Sequence, residues 1–241
     1  MTNGFRNIVA AELVKLRTLP ATLITTVTTV TGTATLAIVF AAGRDRLGGS
    51  PSAAEAALGV LEYGQVGFIL LGILAVATEY GGSQIRTSLA AVPGRTLLMA
   101  GKTIAYVVAA SLTALLTIGI SLLGARLTPG MSWAGGRLGV LAGAGAYLVL
   151  IGLLGYAVAA LVRDLIAALV TMLALVLVVP PLLTGHTTLA AYLPSRAGMR
   201  MYEIGPALQE DLTPVQGAGI LTGWLVLALA TAVISFVKRD T

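Results

Sequence analysis

The 241-residue chain is 57% hydrophobic and only 10% charged, with a mean hydropathy of +0.94, more apolar surface than a soluble domain of this length can hide from water. It is the sequence of an integral membrane protein, and its net charge of +5 carries information through placement along the chain and does not point to nucleic acid. Cysteine is absent and histidine occurs once, which excludes disulfides and thiolate metal sites and leaves little material for a metal enzyme.

Residues 1–19 scatter charges among apolar positions and lack the uninterrupted apolar run and cleavage site of a secretory signal. On a helical wheel Phe5, Ile8, Val9, Leu13 and Leu16 fall on one side, with Arg6, Asn7, Arg17 and Thr18 on the other. This predicts an amphipathic helix lying in the membrane interface, in contact with lipid. Glu12 falls on the apolar side, where a carboxylate needs a partner or a raised pKa. Lys15 is the local choice; an arginine of a later loop, Arg86 or Arg95, is the alternative.

A bilayer core about 30 Å thick needs about 20 apolar residues of helix. Six segments satisfy this: 20–42, 59–78, 103–125, 137–161, 165–184 and 217–237. The expected fold is all-α, six transmembrane helices behind the interface helix, forming a single transmembrane domain over 1–241.

Between the second and third spans lies Glu79–Lys102, EYGGSQIRTSLAAVPGRTLLMAGK, a polar and basic break between the uncharged runs 63–78 and 103–125. Gly81 and Gly82 allow a sharp exit from the span. Ser83 is a good N-cap, residues 84–91 contain no helix breaker, and Pro93–Gly94 form a turn, so a helix of about two turns is expected here. Lys and Arg placement orients the chain. On the side of the termini stand Arg6, Lys15, Arg17, Arg86, Arg95, Lys102, Arg163, Lys238 and Arg239, nine in all. The opposite side holds six, Arg44, Arg46, Arg126, Arg137, Arg196 and Arg200, balanced by as many acids. Both termini and the 79–102 loop are therefore expected to be cytoplasmic.

Only Val162, Arg163 and Asp164 separate spans four and five, which demands a tight antiparallel hairpin. Residues 185–216 are too polar and proline-broken to cross, and too apolar for a floppy linker; short helices dipping into the outer leaflet, a re-entrant segment, are expected. His186, at its start, reads as an ordinary loop residue. Gly135, Gly139 and Gly143 recur every fourth residue along one helical face, a strip that lets another helix approach closely, within the chain or between subunits.

No span carries a charge in its middle third, so the ionisable midplane group of an ion-coupled transporter is missing. Gly101–Lys102–Thr103 resembles the end of a phosphate-binding loop, but position 96 is threonine where that motif requires glycine, and no strand precedes it. No intramembrane protease constellation can be assembled.

Two stretches, AELVKLRTLP (11–20) and EYGGSQIRTSLAAVPGR (79–95), resemble the cytoplasmic signatures of actinobacterial ABC-2 type permeases, the membrane subunits of ATP-binding cassette exporters. The matching residues are Glu12, Lys15, Leu16, Arg17, Glu79, Tyr80, Ile85, Arg86, Leu89, Pro93 and Arg95; the departure is at 81–84, where relatives often carry basic residues followed by Gly-Thr. The resemblance implies a bacterial plasma-membrane subunit that hydrolyses nothing and holds no cofactor, ATP and Mg residing on partner ABC ATPase subunits. It also implies that Glu79, Tyr80, Ile85, Arg86, Leu89, Pro93 and Arg95 couple to those ATPases. Glu12, Lys15 and Arg17 would brace the coupling loop, and a second permease copy or sister permease would complete the substrate path. The competing reading is an ATP-independent six-span scaffold, immunity protein or secondary transporter.

Overall fold

The computed structural model describes residues 2–46, 52–80, 95–132, 137–184, 186–204 and 212–239. Its helices are α1 (Thr2–Thr18), α2 (Pro20–Arg46), α3 (Ala53–Gly59), α4 (Leu61–Tyr80), α5 (Arg95–Arg126), α6 (Leu138–Val162), α7 (Leu165–Leu183), α8 (Pro194–Met199) and α9 (Pro214–Arg239). By length and composition α2, α5, α6, α7 and α9 can each cross a membrane, and α3 with α4 makes a sixth crossing if that bent pair counts as one span. The chain is a multi-pass, all-helical membrane protein.

Two span boundaries differ most from those expected from the sequence. The second was expected to begin at Gly59, yet the chain forms a separate short helix before it. Ser52 Oγ accepts the Glu55 N–H at 3.1 Å while the Glu55 carboxylate accepts the Ser52 N–H at 3.4 Å, a reciprocal cap that starts α3 early. α3 ends at Gly59, and α4 leaves at 46°. The third span was expected from Thr103, but α5 begins at Arg95. Those eight extra residues add about 12 Å of helix. Nothing between Pro93–Gly94 and Gly101 breaks a helix, so 95–102 is the foot of a long helix and not loop.

The core is the crossing of α4 and α6. Gly72 of α4 meets the Gly152 carbonyl of α6 so closely that a Cβ on Gly72 would overlap it, and a Cβ on Gly152 would fall 2.5 Å from the Phe68 carbonyl. Gly155 approaches the Ile69 carbonyl in the same way, at 2.9 Å. With no hydrophobic effect to drive helices together in lipid, small residues that bring backbones into contact supply the packing. Around this crossing Phe68, Ile69, Ile73, Leu148, Ile151 and Leu154 are buried. On the other side of α4, Thr29 and Thr33 of α2 fit against Gly67 and Gly64, so α2 and α4 run antiparallel.

α6 ends in the left-handed conformation at Arg163 (φ 61°), and Asp164 Oδ1 accepts the Ala167 N–H at 2.7 Å to cap α7. Two residues thus make the expected hairpin. Further along α7, residues Ala174–Val178 form a π turn ahead of Pro180 and Pro181. Proline has no N–H, so the Val176 carbonyl, which an α-helix would pair with residue 180, is orphaned. Ser195 Oγ donates to it at 3.3 Å, pinning α8 to α7. Ser195→Ala is expected to cost about 1–3 kcal/mol, the penalty for stranding a buried carbonyl, measurable as reduced resistance to denaturant in detergent.

Residues 186–204 do contain short helical pieces, a 3₁₀ turn at Thr188–Tyr192 and α8. Gly198 lies against the Tyr147 ring and Gly217 against the Ala197 carbonyl, while Trp224 Nε1 donates to the Tyr192 carbonyl at 3.0 Å. The segment is thereby packed on α6 and α9 at the end of the bundle remote from α1. His186 is exposed.

Candidate functional site

The arrangement most unlike ordinary membrane packing sits where α1 crosses the foot of α5. Gly101 has no side chain to hold α1 away; a Cβ there would fall 2.6 Å from Ile8 and 3.8 Å from Phe5. Val9, Leu13 and Leu16 continue the contact with the core, so the apolar face read from the wheel is the buried one. Within that contact lies Glu12, 6% exposed, beside Lys102, 5% exposed. Lys102 Nζ donates to Glu12 Oε2 at 2.9 Å, and Lys15 Nζ donates to Oε1 at 3.2 Å.

One carboxylate therefore holds two ammonium groups, using both its oxygens. The partners differ in worth. Lys15 is about a third exposed, and its bond resembles a surface pair. Lys102 and Glu12 are both out of water, where each ion alone is costly and the bond between them is what makes their burial tolerable. The local partner expected for Glu12 is present, and a second one, 90 residues away, joins it.

Above this cluster, polar side chains line the inside of the α4–α5–α6 contact. Thr103 Oγ1 donates to the Met99 carbonyl at 2.9 Å and lies 3.4 Å from the Tyr156 hydroxyl, which itself approaches Met99 Sδ at 3.8 Å. Towards the far end Tyr147 donates to Gln65 Oε1, and Gln65 Nε2 donates to the Glu62 carbonyl at 2.7 Å. These groups are largely buried and mutually satisfied, as a membrane interior requires.

Of the residues that the family resemblance would assign to ATPase coupling, Ile85, Arg86, Leu89 and Pro93 lie outside the described residues, as do the side chains of Glu79, Tyr80 and Arg95. Their flanks are described: α4 runs to Tyr80 and α5 starts at Arg95, at the same end of the bundle as α1. Arg17 of the bracing trio is exposed. Of the glycine strip, Gly135 is outside the described residues, Gly139 has nothing within 4 Å of where a Cβ would stand, and Gly143 abuts the Met201 carbonyl. The strip therefore seats the 186–204 segment at one point and, among the described residues, packs no spanning helix of this chain. Close approach of α4 and α6 is the work of Gly72, Gly152 and Gly155.

Lys102 is the partner of Glu12 that sequence reasoning missed. Its signal was available: an unbroken helix through 95–102 places a cation one residue past a glycine, within reach of the misplaced Glu12. A scan against protein-family models and a search of curated proteins match nothing to this chain.

Proposed function

We propose that this chain is the membrane subunit of an ATP-binding cassette exporter of the ABC-2 permease type. The observation that carries the reading is the Glu12–Lys102 bond. It ties the 11–20 stretch to the foot of α5, seven residues past the end of the 79–95 stretch, so the first resembling stretch docks on the helix into which the second leads.

On this reading six spans traverse a bacterial plasma membrane with both termini cytoplasmic, the orientation favoured by nine cations on that side against six on the other. Separate ATPase subunits seat the 79–95 loop through Glu79, Tyr80, Ile85, Arg86, Leu89, Pro93 and Arg95, and their closure on ATP moves it. Because α5 is one helix from Arg95 through Arg126, a push at its foot is delivered along about 48 Å of rigid rod. Glu12 anchors α1 to that foot through Lys102, with Lys15 of α1 on the other carboxylate oxygen, and a second permease copy or sister chain completes the substrate path. ATP and Mg stay on the ATPases.

A mild-detergent pull-down of the tagged chain from its native host tests this. A stoichiometric ATPase should co-purify, and the paired change Arg86→Asp with Leu89→Asp should remove it while the chain remains folded. Recovery of the chain alone under several gentle conditions would overturn the reading and favour an ATP-independent membrane protein.

A further inference from the structure

A cavity of about 550 Å³ opens between α3 and the 186–204 segment, at the end of the bundle remote from α1. Its size is that of a small-molecule site. Its rim includes exposed Gly59 and Glu203, and its depth includes buried Leu58 and Tyr202, so it runs from the surface into the apolar interior. Five of its side chains can recognise charge: Glu55, Arg196, Arg200, Tyr202 and Glu203. Met199 and Ile204 add apolar wall.

These groups are differently engaged. Arg200 donates to Glu203 at 2.8 Å, an ion pair within the segment. Arg196 makes no ion pair within 4.0 Å among the described residues. Its backbone is nevertheless fixed, because the preceding Ser195 is the residue bonded to Val176. The Tyr202 side chain is 4% exposed, and its hydroxyl has no hydrogen-bond partner among the described residues. A buried hydroxyl left so is costly, and a ligand oxygen would relieve it. Burial, helped by the Glu62 and Glu203 carboxylates, holds the Tyr202 phenol well above its usual pKa, so it stays a donor. Glu55 is held in place through its cap on Ser52.

The cavity thus presents a guanidinium and a phenol donor, suited to a phosphate oxygen, together with carboxylates suited to an ammonium. It does so where spanning helices end, with an apolar depth beside the charges. We propose that it binds the headgroup of a zwitterionic phospholipid, a phosphodiester bearing a primary amine, with Arg196 and Tyr202 on the phosphate and Glu55 on the amine. This does not depend on the exporter assignment, since no ATPase or second subunit enters it.

The test uses the purified full chain in a neutral detergent, titrated with dihexanoyl-phosphatidylethanolamine and followed by native mass spectrometry. Dihexanoyl-phosphatidylglycerol, uncharged dihexanoylglycerol and free phosphoethanolamine serve as comparators. The ethanolamine lipid should bind about tenfold or more tightly than dihexanoylglycerol, the scale of one charge-assisted hydrogen bond, and Arg196→Gln should lose that advantage. Arg196→Lys, retaining charge without the fork, should lose less, and Tyr202→Phe should weaken all phosphate-bearing lipids alike. Glu55→Gln keeps an acceptor for the Ser52 cap and should erase the preference for ethanolamine over glycerol. Equal binding of dihexanoylglycerol, or unchanged affinity in both Arg196 variants, would overturn the site. If free phosphoethanolamine binds as tightly as the lipid, the occupant is a soluble zwitterion and the lipid assignment falls. Should Arg196→Gln fail to fold, Arg196→Lys with Tyr202→Phe decides the matter alone.

Discussion

Replacing Glu12 with glutamine is expected to lower the unfolding free energy by about 3–5 kcal/mol, the usual cost of removing one partner from a buried ion pair. Glutamine keeps the shape of the side chain, so the loss reports charge and not packing. Lys102, 5% exposed, would then face a neutral amide from within the α1–α5 contact. Lys15→Ala should cost well under about 1 kcal/mol, because its ammonium already reaches water. The double change Glu12→Leu with Lys102→Met removes both charges together and should restore most of the stability, as apolar replacements of buried pairs commonly do. Urea unfolding in detergent would read all four proteins. A small effect of Glu12→Gln would mean that α1 is held by Ile8 and Leu16 alone and that the pair is incidental. On the proposed exporter reading the stable double variant then separates two roles: if it co-purifies an ATPase as well as the unaltered chain does, the charges serve only to dock α1.

What could be read in advance depended on whether one helix or two determined the feature. The buried face of α1 was legible because Phe5, Ile8, Val9, Leu13 and Leu16 repeat with the helical period and polar residues fill the other side, so one wheel decides it. The Arg163–Asp164 hairpin was legible because too few residues remain for anything else. The span ends at Gly59 and Thr103 were set by where hydropathy changes, whereas the helices are set by caps and breakers: Ser52 and Glu55 on one side, Pro93–Gly94 on the other. Lys102 was hidden for the same reason, since a cation counted as loop charge is not sought as a core partner. The Ser195–Val176 bond needed two facts from separate segments, a missing N–H at Pro180 and a hydroxyl that reaches the orphaned carbonyl. α6 was the hardest case. It is apolar all round, so no wheel singles out a face, and glycine spacing alone could not say which glycines meet a neighbour.

That gap makes glycine substitutions in α6 the sharpest test of the packing. Gly152→Val should be severely damaging, because its side chain would be driven into the Tyr106 hydroxyl and the Phe68 carbonyl. Neither can yield cheaply: Tyr106 is buried at 2% exposure, and the carbonyl belongs to the α4 backbone. Overpacking a dense core typically costs about 1–3 kcal/mol, and a clash with backbone at a helix crossing belongs at or above about 3 kcal/mol. The expected outcome is loss of a monodisperse peak in detergent chromatography, with Gly72→Val behaving likewise from the facing helix. Gly139→Ala is the matched contrast. With nothing within 4 Å of the added methyl, it should leave stability unchanged or raise it by up to about 1 kcal/mol through better helix propensity. Native mass spectrometry of that variant carries a second answer. An alanine at 139 that leaves the fold intact but breaks a dimer would assign the exposed end of the strip to contact between subunits, whereas an unchanged oligomeric state would leave α6 packing wholly to Gly152, Gly155 and their partner Gly72.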